Sequence, residues 1–193
     1  MIQIQIVVAF HSGYGHTRKL AEAVMLGAKA EAGATAVLLD VSSIDEAGWR
    51  LLDGADAIVF GAPTYMGGPS APFKAFADAS SKVWGVQGWK DKVGGGFTCS
   101  INMCGDKHGT LQYLMNFGMQ HGMIWVGTGM MPGHPAGAPD RLNRLGSSIG
   151  VAAQAGNVSP ELEPPVGDID TANAYGRRVA RLAMRLKASE GPR

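Results

Sequence analysis

Apolar positions along this chain follow two rhythms that take turns. Ile2, Ile4 and Ile6 alternate with glutamines, and Val7, Val8, Ala9 and Phe10 then run on without a break. That is the pattern of a strand covered on both faces. From Thr17 onward the spacing changes. Leu20, Ala21, Val24, Met25 and Ala28 recur as one face of a helix over 17–32, ended by Gly33. The same alternation continues. A second strand is predicted at Thr35–Asp40 and a third at Ala57–Gly61. Between them a short helix is expected, capped by Ser42 or Ser43 and running to about Asp53, with Ile44, Ala47, Leu51 and Leu52 on one face. A helix from Ala71 to Ser81 carries Pro72 in its first turn. A fourth strand is predicted at Lys92–Cys99. The helix after it, Lys107–His121, has Leu111, Leu114, Met115 and Met119 as its stripe and Gly122 as its stop. Met123–Val126 begins a fifth strand. A last helix spans Asp168–Lys187, with Tyr175, Val179, Leu182, Ala183 and Leu186 inward. Five strands alternating with helices predict one α/β domain over residues 1–193, built on a doubly wound parallel sheet. Residues 127–146, rich in Gly and Pro, break the rhythm. A connection of that length is read as a functional or interface loop.

Composition narrows the partners. The 193 residues carry a formal net charge of +1, which gives no electrostatic case for nucleic acid or a membrane surface. No apolar run is long enough to span a bilayer, and no secretory signal pattern is seen. Two cysteines, Cys99 and Cys104, form no disulfide framework and fit a reduced, cytoplasmic setting. His11, His108 and His134 have no metal-ligand spacing, so no metal is expected. Arg177, Arg178, Arg181 and Arg185 read as a solvated helix face. Trp84, Val86, Trp89 and Met130-Met131-Pro132 place apolar bulk in connections, the mark of an interaction surface and of a homodimer or homotetramer.

In a sheet of this kind ligands bind beyond the carboxyl ends of the strands. Three loops leave those ends, at residues 11–17, 62–68 and 98–106. The first, Ser12-Gly13-Tyr14-Gly15-His16-Thr17, is short, hydroxyl-bearing and opens a helix. It lacks the lysine of a Walker loop and the third glycine of a dinucleotide fingerprint. What remains suits a terminal phosphomonoester held by neutral donors at a helix N-terminus, as in FMN. An adenylate attached there would run into the helix, so FMN is expected rather than FAD. None of the three loops carries a dense cluster of charge, which suits a neutral aromatic ring.

The run Ser12-Gly-Tyr-Gly-His-Thr17, then Gly61-Ala-Pro-Thr-Tyr65, then Trp84, then Gln120-His-Gly-Met123 resembles the flavodoxin-like WrbA-type NAD(P)H:quinone oxidoreductases and the wider NADPH-dependent FMN reductases. The resemblance implies a five-stranded sheet in the order 2-1-3-4-5 with helices on both faces. It implies FMN phosphate contacts from Ser12, Gly13, Tyr14, Gly15, His16 and Thr17. Pro63, Thr64, Tyr65, Met66 and Gly67 would border the ring on one side, and Thr98, Cys99, Ser100, Ile101 and Asn102 on the other. Tyr14 matches a position near nicotinamide, Trp84 a substrate-contacting position and His121 a flavin-site residue. The chain departs from that family in its second loop, which lacks an arginine, and in its third. It also lacks the long insertion after the second strand that is associated with the tetramer.

The function expected is transfer of two electrons from NADH or NADPH through FMN to a quinone-like acceptor, with donor and acceptor taking turns at one ring face. The flavin carries the chemistry and the protein orients the partners. Two other classes stand beside it: a flavodoxin-type electron carrier, and a flavin-binding regulator or scaffold without turnover. Near-neutral charge weighs against the carrier.

Overall fold

The computed structural model describes residues 2–189. The first strand, β1, is Ile4–Phe10, and the helix α1 after it is His16–Lys29. β2 is Ala34–Asp40. A short 3₁₀ turn at Val41–Ser43 precedes α2, Glu46–Gly54. Neither serine caps that helix. Ile44 is extended, so the helix begins later, and the Asp45 carboxylate accepts from the Gly48 N–H at 2.8 Å. β3 runs Ala57–Tyr65, four residues past the predicted end, and turns back as the short β4, Gly68–Pro69. α3, Ala71–Ala79, and α4, Ser81–Gly85, break at Ser80. Then come β5, Val93–Ser100, and α5, Lys107–Gln120. β6 is only Ile124–Trp125, β7 is Val151–Gln154, and α6 is Val166–Ser189.

The sheet is ordered β2-β1-β3-β5-β6 and is parallel along that path. β4 pairs antiparallel with β3. Two hydrophobic layers flank the sheet. Ile4, Ile6, Val8 and Phe10 pack under α1 and α6, with Leu20, Val24, Tyr175 and Val179. Val7 and Ala9 face the other way, toward Leu52, Phe73, Phe76, Leu114 and Phe117 of α2, α3 and α5. This two-sided cover is why β1 reads as a continuous apolar run. Trp89 is fully buried in the second layer, a structural anchor of the connection before β5 rather than part of an exposed surface. Leu182 and Leu186 are only half-buried.

The fifth strand position is split. β6 pairs with β5 at Val93 and Gly94, and β7 pairs with it at Phe97–Ser100. Residues 126–150 lie between the two halves. Gly95 and Gly96 thus face a gap in the ladder. The Tyr175 hydroxyl of α6 fills it, accepting from the Gly96 N–H at 3.1 Å and donating to the Val126 carbonyl at 2.5 Å. A Cβ on Gly95 would lie 2.4 Å from that hydroxyl, so the ring enters only because the strand is glycine there. The excursion is tied down by a buried ion pair. Arg144 donates from Nε and Nη2 to the Asp168 carboxylate, at 2.8 and 2.9 Å, and both side chains are at most 3% exposed. The same carboxylate accepts from the Gln154 N–H at the end of β7 at 2.8 Å.

Tyr175→Phe keeps the ring and removes the hydroxyl, leaving a buried N–H and a buried carbonyl without their partner. The expected loss is about 2–3 kcal/mol of unfolding free energy, read as a lower urea midpoint. A midpoint unchanged from wild type would mean that the ladder gap does not need the hydroxyl.

Candidate active-site cleft

Every parallel strand of this sheet ends at the same edge, so the loops leaving those ends meet there. At the first, the Ser12 hydroxyl oxygen accepts from the N–H groups of Gly15 and Arg18, at 3.1 and 3.2 Å. The Lys19 N–H donates to the Gly15 carbonyl. Among the first-turn amides of α1, those of His16 and Thr17 are left for an acceptor from outside the helix. Gly15 holds φ at 94°, and a Cβ there would lie 2.8 Å from Pro160. The loop therefore closes under residues 155–163.

The second loop is the tip of the β3–β4 hairpin. Tyr65 and Gly68 pair, and Met66 and Gly67 between them hold φ of 49° and 80°. Two consecutive residues with positive φ make a two-residue hairpin of the mirror-image type. It leaves the Met66 side chain wholly in solvent at the rim. Tyr14 is 77% exposed and meets Tyr65 edge-on, ring centres 6.3 Å apart.

The third loop, 100–106, ends in two residues of positive φ, Gly105 and Asp106. It is held from below by Lys107, which is 3% exposed and donates to the carbonyls of Asn102 and Met103. The fourth loop follows β7. Its Ala155 N–H donates to the Ser100 carbonyl at 3.2 Å, and the Gly156 N–H donates to the Glu163 carboxylate. His16 donates from Nε2 to the Val158 carbonyl at 2.9 Å and so ties the fourth loop to the first.

Between these loops lies a cleft of about 780 Å³. That volume falls in the range of small-molecule and cofactor sites. Of the predicted residues, Tyr14, His16, Thr17, Pro63, Thr64, Tyr65, Met66, Gly67, Cys99, Ser100, Ile101 and Asn102 line it. Gly105, Asp106, Ala155, Gly156, Asn157 and Val158 line it as well and were missed. The last four leave the carboxyl end of β7. Recognising Val151–Gln154 as a strand would have found them. Ser12, Gly13 and Gly15 frame the first loop without lining the cleft.

The walls are chemically quiet. Burial pushes the Cys99 thiol up to about 12, so it lines the cleft as a neutral group. Burial and neighbouring Tyr14 raise the Tyr65 phenol above its usual value. Among the described residues no group of three or more His, Cys, Asp and Glu is arranged to hold a metal ion.

The model of the NADPH-dependent FMN reductase family matches residues 3–134. That span includes the first three loops and stops before the fourth. Flavodoxin FldP of Pseudomonas aeruginosa is 44% identical over 186 residues, covering 94% of this chain and 98% of its own. An NAD(P)H dehydrogenase (quinone) of Geobacter metallireducens is 30% identical over 212 residues, covering 95% and 100%. Among solved structures, a flavodoxin, WrbA-like protein from Agrobacterium tumefaciens is similar with a TM-score of 0.75. It is 46% identical, over 95% of this chain and 99% of that one.

Three predicted residues lie elsewhere within the single chain. Thr98 is fully buried behind the wall. It donates to the Ala62 carbonyl at 2.7 Å and meets Thr64 Oγ1 at 2.8 Å, and Thr64 in turn reaches Thr110 at 2.8 Å. Thr64 alone of these hydroxyls lines the cleft. Trp84, 46% exposed in α4, and His121, just past α5, do not line the cleft. The reason is direction. A helix that follows a parallel strand runs back across the sheet, so the 14 residues of α5 carry His121 roughly 20 Å from the loop edge.

His121 is instead a core residue, 3% exposed between Trp89 and Phe117, with ring centres at 4.3 and 4.9 Å. The Ser80 hydroxyl donates to the Ala77 carbonyl at 2.7 Å, so it accepts from His121 Nε2 at 2.9 Å. Among the described residues His121 Nδ1 and Trp89 Nε1 have no partner. Burial pushes the imidazole down from 6.5 to about 4. Between those two values the unfolded chain binds a proton that the folded one refuses. Stability is therefore full above pH 6.5 and falls as pH drops toward 4, by about 3 kcal/mol from this residue. Chemical denaturation of wild type and His121→Gln across that range should show the loss in wild type and its absence in the variant. Parallel curves would remove His121 as the cause.

Proposed function

This chain belongs to the NADPH-dependent FMN reductase family, and from that premise we propose that the cleft holds FMN and passes two electrons from NAD(P)H to a quinone-like acceptor. The observation that carries this reading is the first loop, where a neutral helix N-terminus opens directly into a cleft of cofactor size. The residues fit the group. The amides of His16 and Thr17 receive the phosphate. Ser12 keeps those amides aimed outward by occupying the amides of Gly15 and Arg18. The Met66–Gly67 tip and the 100–106 loop provide two walls for a planar ring, with Thr64, Ser100 and Asn102 as its polar neighbours.

Bound FMN supplies the hydride-accepting and hydride-donating chemistry. The first loop would bind the phosphate and the second and third loops would orient the ring, with Tyr14 and Tyr65 lining the same cleft. These aromatic edges give a planar nicotinamide or quinone a surface to lie against. Cys99 stands in the wall as a neutral thiol. Relatives named NAD(P)H dehydrogenase (quinone) support the donor and the acceptor class. The 44% identity to a relative named flavodoxin favours a second reading, a one-electron carrier reduced only by another protein.

Two further readings concern setting and assembly. No helix among the described residues is long and apolar enough to cross a membrane, and the two free cysteines support a reduced, cytoplasmic compartment. Trp84, Val86 and Met131, at 46%, 79% and 86% exposure, support a homodimer or homotetramer. Light scattering at micromolar protein should return a multiple of the chain mass, and a monomer would contradict the assembly.

The purified protein should show a flavin absorption spectrum and release FMN, not FAD, on heating. Under anaerobic conditions NADH or NADPH alone should bleach that spectrum, and a quinone should restore it. Bleaching only after a separate reductase is added would select the carrier. Ser12→Ala should weaken FMN binding by about 1–3 kcal/mol, measured by flavin fluorescence titration.

A further inference from the structure

One charge beside the cleft has no counter-ion. Lys107, the first residue of α5, is 3% exposed. Its ammonium donates to the carbonyls of Asn102 and Met103 and forms no ion pair among the described residues. Asn102 lines the cleft. A Cβ built on Gly105, another wall residue, would lie 3.1 Å from Lys107 Nζ. The ammonium is thus separated from the cleft by the thickness of one loop.

None of the other charges nearby is paired with it among the described residues. Arg144 and Asp168 neutralise each other in their own buried pair. The Glu163 carboxylate accepts from the Gly156 N–H on the fourth loop and keeps its charge, but it acts on the Cys99 thiol less strongly than Lys107 does. Asp106 is exposed to water, which screens it. Of the single charges acting on the Cys99 thiol in the wall, Lys107 is the strongest, ahead of Asp168, Glu163 and Arg144.

Burying a cation without a counter-ion is unfavourable, and an anion arriving nearby would be strongly attracted in so dry a setting. Hydride transfer delivers that anion. NAD(P)H leaves as NAD(P)⁺, and the flavin ring gains two electrons and one proton. It is then one charge more negative, with no second proton needed. We propose that Lys107 is a positioning residue that holds positive potential under the wall of the cleft and stabilises the anionic, two-electron-reduced flavin. This rests on the FMN reading above and deepens it. A cation at this site favours two-electron acceptance from a nicotinamide over single-electron relay.

The test compares the FMN-loaded wild type with Lys107→Gln, which keeps hydrogen-bond donors for the loop carbonyls, and Lys107→Arg, which keeps the charge. Two readouts apply: the two-electron midpoint potential by dye equilibration, and the affinity for sulfite, which adds to oxidised flavin and leaves the ring anionic. Lys107→Gln should lower the equilibrium constant for two-electron reduction about tenfold, a drop of about 30 mV, and weaken sulfite binding by a similar factor. Lys107→Arg should hold both within about twofold of wild type. Lys107→Gln that binds FMN fully at the wild-type potential overturns the proposal, as does Lys107→Arg behaving like Lys107→Gln.

If the glutamine variant does not fold or load, the wild type alone decides. Its potential should fall with pH at the one-proton slope even where free FMN takes up two protons, and a two-proton slope there overturns the proposal. A wild-type chain that takes up no FMN removes the FMN reading itself. That outcome is distinct from a loaded protein whose potential ignores Lys107.

Discussion

The cleft depends on the ion pair between Arg144 and Asp168. The fifth strand position of this sheet is cut after Trp125 and resumes only at Val151. Twenty-five residues must leave the sheet and return in register. Arg144 carries the middle of that excursion, Asp168 sits in the first turn of α6, and the same carboxylate takes the Gln154 N–H at the end of β7. Excursion, strand end and helix start are thus joined at one buried point. Burial raises the Asp168 pKa while the Arg144 contact opposes it. The guanidinium is thus what makes a charged carboxylate tolerable there. Tyr175 completes the repair from the same helix by occupying the ladder gap.

From that anchoring the fourth loop follows. Because β7 is in place, residues 155–163 emerge at the same edge as the other three loops and close over the first. His16 reaches Val158, and Pro160 packs against Gly15. The walls of the cleft are then mostly backbone, apolar side chains and neutral hydroxyls. Such a lining suits a planar, largely neutral ligand.

The opposite edge of the sheet shows a different use of similar residues. Trp49, Phe76, Trp89, Phe117 and His121 form one aromatic cluster, with Trp49, Phe76 and Trp89 stacked at centroid distances of 5.3 to 6.4 Å. There the imidazole is kept neutral by burial and serves packing. Its cost is an unpartnered nitrogen.

Read alone, the sequence determined the rhythm of strands and helices, the two-sided cover of β1, the neutral phosphate-type loop at the start of α1, and most of the cleft lining. Those features are local. A period of two or of 3.6, or a glycine-bearing turn before a helix, is written in consecutive residues. The tertiary structure alone decided the rest. Val151–Gln154 is a strand because β5 offers it an unpaired edge, and four small residues carry no period that announces this. Thr98 and Thr64 are two similar hydroxyls, and only the packing of β3 against β5 and α5 turns one to the cleft and the other behind it. His121 sits beside a family-like motif in sequence, yet the return direction of α5 sends it across the sheet. Lys107 reads as an ordinary helix-start lysine. It became a buried charge only when the third loop folded over it, because burial is set by what other segments do and not by a residue's own neighbours in the chain.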